Sequence, residues 1–237
     1  MDPLYFLIVI GCVTLIVIVV VALSGHRRAA RRDAMAQFAE SLGLSFDPTR
    51  DYDHDDRYAH MEMFGRGSKR YAYNTISGRM TLGGHELGVI CGDFHYAVHQ
   101  HGQHGPQKRS AHFSYLVIEL PWSDVPDLLI RTEGFFDRVG AMIGFDDIDF
   151  ESEEFSRAFL VKSPDRKFAY DLIDPRMMEF LLETRPDLID LEHGSMGFAS
   201  GFGLWDVQKF RNGLDWVDDF FARWPDHVIR NLEGGVS

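Results

Sequence analysis

From Leu4 to Leu23 the chain reads LYFLIVIGCVTLIVIVVVAL, twenty residues without a charged side chain. At about 1.5 Å of rise per residue, a helix of that length covers roughly 30 Å, the hydrocarbon thickness of a bilayer. The pattern predicts a transmembrane helix over residues 4–24, with residues 1–3 as a short tip on the non-cytoplasmic side. A cleaved signal peptide fits less well. Met1-Asp2-Pro3 carries no basic residue, and the apolar run exceeds the roughly 7 to 15 residues typical of such signals.

Beyond the span the pattern becomes that of a folded domain. Met35, Phe38 and Leu42 fall on one helical face and Gly43 suits a C-cap, so a helix continues the span or follows it after a break at Ser24-Gly25. Residues 47–60, DPTRDYDHDDRYAH, are polar and turn-rich and read as loop. RYAYNTISG, HELGVICGDFHYAV and AHFSYLVIELP then show the Tyr, Val, Ile and Phe content of strands. The last two flank a run rich in His and Gly, the outline of a hairpin with a long loop. A short strand over 128–131 leads into a helix over 135–143. Ser163-Pro164 and Asp174-Pro175 each pair an N-cap residue with a first-turn proline, so two short helices begin there, the second stopping near Pro186. LIDLEH and SMGFASG form another hairpin. A closing helix carries Phe210, Leu214, Val217, Phe221 and Trp224 and ends at Pro225. The order predicts an α+β fold in which helices pack on a mostly antiparallel sheet, all within residues 34–237, with a sub-boundary near 121–135.

Charge divides the molecule further. The collar over residues 25–33 holds Arg27, Arg28, Arg31 and Arg32 directly after the span. Positive charge in such a flank resists translocation, which predicts a single-pass protein of the cell membrane with its C-terminal domain in the cytoplasm. Residues 1–33 carry four of the 24 basic and two of the 36 acidic residues, so the remainder has a net charge of −14. An acidic body is repelled by nucleic acid and by anionic lipid. That argues against a nucleic-acid partner and leaves only the four collar arginines to touch the bilayer surface. Cys12 lies in the span and Cys91 in the domain, so the domain has no internal disulfide and no CxxC motif.

Candidate chemistry is sparse. HYAVHQHGQHG places His95, His99, His101 and His104 within ten residues, with His112 beyond. On a strand, His95 and His99 stand about 13 Å apart, too far to share a metal. His99, His101 and His104 are the remaining metal candidates, without a cysteine or carboxylate in the run to complete a set; a solvated loop is the favoured reading. The acidic run over 146–154 lacks the glycine and terminal glutamate of a calcium loop, and Ile148 and Phe150 alternate within it as in a strand. GFASG sets its serine fourth rather than third, Gly65-Arg-Gly67 lacks a third glycine, and His85-Glu86 has Val89 where a zinc protease needs histidine. No catalytic residue and no cofactor is assigned. Trp216, off the apolar stripe of the last helix, is the candidate for a partner contact.

In the order of its elements the chain resembles an uncharacterised family of bacterial membrane-anchored proteins classed under a domain of unknown function. Glu151, Phe155, Phe159, Val161, Ser163, Asp165, Ala169, Leu172, Pro175, Met177 and Met178 carry the resemblance, with YNTISG and GDFHY as earlier strands. It implies an anchored α+β domain and no activity. The expectation is a single-pass protein whose partners are the bilayer and another protein, with a cytosolic interaction or accessory domain and no assigned small-molecule ligand. The alternative is a membrane-tethered, metal-dependent hydrolase combining the histidine run with Asp53, Asp55 and Asp56.

Overall fold

The computed structural model describes residues 3–102, 105–122, 124–132, 146–201 and 203–234. Its first element, α1 (Pro3–Leu42), is one unbroken helix of 40 residues. Large apolar side chains between Ile10 and Leu23 are exposed along it, and among the described residues it is the helix long and apolar enough to cross a membrane. No protein surface covers that mantle, and lipid is the solvent that suits it. Its last turns differ. Met35, Phe38 and Ala39 are buried, spaced so that one face of the helix enters the core. The same helix is therefore anchor at one end and core element at the other.

The sheet follows as β1 (Ser45–Asp47), β2 (Ser68–Leu82), β3 (His85–Gly102), β4 (Gly105–Glu119), β5 (Leu128–Thr132), β6 (Phe159–Lys162), β7 (Leu188–Glu192) and β8 (Ser195–Ala199). These strands form one sheet in the order β1-β2-β3-β4-β8-β7-β5-β6, every pairing antiparallel. On one face Leu87, Val89, Cys91, Leu116 and Ile118 join a core completed by helices, among them the end of α1 and the aromatic stripe of α6 (Val207–Phe221). The helices α3 (Glu153–Ala158), α4 (Arg166–Leu172), α5 (Pro175–Thr184) and α7 (Asp226–Gly234) complete that layer. Phe94, Phe113, Tyr115 and Val117 point the other way, as alternation along a strand requires. The chain is thus an apolar N-terminal helix followed by an α+β domain whose sheet is buried on both faces.

The second face is covered by the stretch over residues 54–64, which begins inside the segment read from sequence as loop (47–60) and runs past it. It contains a short helix, α2 (His54–Arg57), and a 3-10 turn over Glu62–Phe64, and Tyr58, Met61, Met63 and Phe64 from it are buried. His54 sits among Phe64, Tyr115, Tyr58 and Phe94, with ring centroids 4.7 to 6.0 Å away. Neither ring nitrogen has a hydrogen-bond partner. The polar letters of the segment concealed an apolar underside.

Other boundaries differ from the sequence reading for local reasons. The histidine run is not a long loop: β3 and β4 stay paired through His99↔Lys108, His101↔Pro106 and Gly102↔Gly105. His104 itself lies outside the described residues, as does the helix expected over 135–143. Asp165, not Ser163, caps α4, accepting from the amide of Phe168, while the Ser163 hydroxyl donates to the carbonyl of Asp127. Asp174 and Pro175 open α5 as predicted, and its C-cap is Arg185 in the left-handed region at φ 46°. Ile148 and Phe150 are buried as their alternation implied, but in irregular chain beside β6 rather than in a strand. The last long helix stops at Phe221, with Ala222 as its C-cap, so Trp224 lies beyond it and Pro225 does not end it but introduces α7, which the sequence reading did not anticipate.

Burial pushes the His54 pKa from its ordinary 6.5 down to about 4. The folded state therefore holds a neutral ring, and its advantage is complete above about pH 6.5 and lost as pH falls toward 4. Between pH 7 and 4.5 the parent should lose about 2 kcal/mol more unfolding free energy than His54→Phe, measured by denaturant titration of the detergent-solubilised chain. Equal losses would mean that His54 does not titrate in the fold.

Candidate functional site

Where α1 leaves the domain, a polar cluster is sealed into the helix-bearing face. Arg31 lies on the same stripe as Met35 and Phe38 and reaches Asp93, a fully buried carboxylate on β3. Nε donates to Oδ2 at 2.7 Å and Nη2 to Oδ1 at 2.5 Å, a two-pronged ion pair. Asn74 Nδ2 donates to Oδ2 at 3.0 Å and the Ser114 hydroxyl to Oδ1 at 2.7 Å. Arg31 Nη1 donates to the Trp205 carbonyl at 2.8 Å, and the Trp205 amide donates to Ser114 Oγ at 2.9 Å. One carboxylate thus ties α1 to β2, β3, β4 and the segment entering α6.

Local backbone explains how the parts meet. Asn74 adopts φ 51°, within an irregularity in the β2–β3 register between Tyr73 and Ile76, and a short polar residue tolerates that left-handed turn. Asp93 and Ser114 are register partners across β3 and β4. For Arg31, burial opposes the charge, but the hydrogen bond and the charge of Asp93 outweigh it and raise its pKa.

A strip of rings continues from this clamp along the sheet. The Tyr73 hydroxyl and His112 Nδ1 share a hydrogen bond at 2.9 Å. Burial and the Asp93 charge raise the Tyr73 pKa, while burial and His95 lower that of His112, so a phenol meets a neutral imidazole. His95 Nδ1 donates to the Lys69 carbonyl at 3.0 Å and its ring stacks on Tyr71 at 4.4 Å. The Arg50 guanidinium lies 4.8 Å from the Tyr71 ring centre. Chemically this region holds charge in place rather than moving protons. The oxygens of Asp93 are filled by donors, and burial pushes the Cys91 thiol well above its ordinary range.

On the other side of Trp205 opens a cleft of about 420 Å³, lined among others by Thr184, Phe198, Lys209, Asn212 and Trp216. Trp216 is half-buried here rather than projecting. Its ring stacks against Phe198 at 4.6 Å, Phe220 at 5.1 Å and Phe180 at 5.3 Å, and Nε1 donates to Thr184 Oγ1 at 2.9 Å. Of the four collar arginines, Arg27, Arg28 and Arg32 are exposed and Arg31 is committed to Asp93. Among the described residues no group of three or more His, Cys, Asp or Glu side chains is placed to share a metal ion. His104 and the side chains of His99 and His101 fall outside them.

No family model matches the chain, and no curated protein matches it in sequence. Among solved structures, the crystal structure of the mycobacterial trehalose monomycolate transport factor A, TtfA, is similar. It aligns at a TM-score of 0.58 over 82% of this chain and 96% of that one, with 15% identity. At that identity the likeness is one of fold. The family resemblance drawn from residues 151–178 has no matching family model beside it; the shared architecture is what stands.

Sequence reasoning missed Asp93, Asn74, Ser114 and Trp205, although a signal was present. Val89, Cys91 and Asp93 share one strand parity and Arg31, Met35, Phe38 and Leu42 one helical stripe. A lone carboxylate on an inward parity and a lone cation on an inward stripe require each other.

Arg31→Met leaves a buried carboxylate without its cation and should destabilise the detergent-solubilised chain by about 3 to 5 kcal/mol, against less than about 0.5 kcal/mol for Arg28→Ala. Arg31→Met combined with Asp93→Leu should recover much of the loss. Similar denaturation midpoints for Arg31→Met and Arg28→Ala would remove the clamp from this account.

Proposed function

We propose that the chain is a single-pass membrane protein whose acidic domain, residues 34–237, stands on the cytoplasmic side as an accessory module for a membrane-embedded partner. The observation that carries this reading is the Arg31–Asp93 clamp. A tethered enzyme needs only a flexible leash, whereas a buried ion pair between anchor and sheet fixes the height and rotation of the domain above the bilayer. That geometry serves a module whose partner lies in the same membrane. The arginines after the span support the cytoplasmic placement, with Arg27, Arg28 and Arg32 at the headgroups. The mycobacterial protein of like fold is described as a transport factor, and assistance to a membrane process is the kind of role that fits.

The partner contact belongs at the cleft beside Trp216. Its aromatic wall is supported from behind, and Lys209 and Asn212 offer hydrogen bonds at its rim. Rigid aromatic walls with a few polar groups are common features of binding sites.

Two measurements test the reading. A reporter fused after Ser237 should be active only if it functions in the cytoplasm; periplasmic or extracellular activity would reverse the assigned orientation. A photo-crosslinker at Asn212 in native membranes should give one discrete adduct with an integral membrane protein, lost on Trp216→Ala in protein that still folds. Adducts equal in yield from Asn212 and from the remote Arg157 would deny the cleft that role.

A further inference from the structure

The β3–β4 ribbon outruns the rest of the sheet. β2 meets β3 no farther out than Ser68↔Ala97, and β8 meets β4 no farther out than Leu116. From Val98↔Arg109 to Gly102↔Gly105 the two strands pair with each other alone among the described residues. This projection points the same way as the anchor. Leu44, just past α1, lies on Gly78, whose partner is Val89; Arg31 meets Asp93; the charge of Arg28 acts on His112, the partner of His95. Following α1 toward the membrane therefore means following β3 toward its tip.

Lengths then decide where the tip goes. His95 to Gly102 is seven residues, about 23 Å of strand. Arg28 to Leu23, where the apolar span begins, is five residues, about 8 Å of helix. Even strongly inclined to α1, the ribbon reaches the bilayer surface. It cannot continue into hydrocarbon, because its sequence, VHQHGQHGPQKR over residues 98–109, is polar and basic.

Its charge suits the surface it meets. In a chain of net charge −12, residues 94–118 contain no Asp or Glu, nor do residues 65–85 on the neighbouring strand. Lys69 and Arg109 are exposed at this end. At the other end Asp218 accepts from the amide of Gly83 in the β2–β3 turn, with Asp215 and Asp219 nearby on α6, whereas beside the outer part of β2 Asp55 is paired with Arg70 and Asp51 with Arg57.

We propose that the outer β3–β4 ribbon is a second membrane contact, laying Lys69 and Arg109 against anionic lipid headgroups beside the arginine collar. The collar is then not the only part of the chain at the surface, and two contacts on either side of the clamp fix the tilt of the domain. The proposal rests on α1 being the membrane anchor.

The test uses the full chain carrying Cys12→Ser, which leaves only the buried Cys91, with Ser110→Cys or, at the far end of the sheet, Glu86→Cys. Each is labelled with an environment-sensitive fluorophore and reconstituted into phosphatidylcholine vesicles with and without phosphatidylserine. Spin-labelled headgroups should quench the Ser110 probe several-fold more than the Glu86 probe. The excess should fall sharply without phosphatidylserine, and also on Lys69→Glu with Arg109→Glu in protein whose melt is unchanged. Equal quenching at the two sites would overturn the proposal. So would quenching indifferent to lipid charge, or quenching that appears only at high protein density, which would point to a second copy of the chain. Carbonate extraction of the same vesicles separates the two readings: released protein contradicts the anchor, whereas retained protein with an unquenched Ser110 probe contradicts the ribbon contact alone.

Discussion

A carboxylate buried beneath a helix cannot stay charged without a cation, and Asp93 is met by an arginine from the helix that leaves the domain for the membrane. Most of the architecture can be followed from that pair. Removing an isolated charge from water costs several kcal/mol even after relaxation, so Asp93 demands Arg31, Ser114 and Asn74 together. Because Arg31 also holds the Trp205 carbonyl, the demand reaches the start of α6 and the wall of the cleft. Apolar packing of Met35 and Phe38 supplies attraction between helix and sheet. The ion pair supplies registry, since sliding the helix by one residue would strand both charges.

The anchor and the body are therefore one mechanical unit. α1 continues from its lipid-exposed segment into the core without a linker, and the sheet it packs on is covered on its other face by residues 54–64. His54 in that cover is a buried neutral ring among aromatics.

Much of this was legible in the sequence, and the failures have physical causes. The span, the α+β class, the strand content and the cap at Asp174 followed from local rules of length, alternation and hydrogen bonding. The cover over residues 54–64 was missed because its apolar residues, Tyr58, Met61, Met63 and Phe64, lie among polar ones with no regular period. The histidine run looked like a loop because glycine and histidine are weak strand formers, yet pairing between two long neighbours carried the ladder outward. The clamp was hidden by grouping: Arg31 stood in a run of arginines that invited one shared role, and only the stripe it shares with Met35 and Phe38 set it apart. A pair 62 residues apart in the chain has no local signature beyond that coincidence of inward positions.

The claim that the domain is held rigidly on its anchor is open to a direct measurement. Spin labels at Arg27→Cys on the collar and Glu86→Cys on the sheet, in the Cys12→Ser chain reconstituted into bilayers, report the distance between anchor and body. A single narrow distribution that broadens on Arg31→Leu is the result expected from a clamp. A broad distribution in the parent, unchanged by the substitution, would show the domain swinging freely on its helix and would contradict the account.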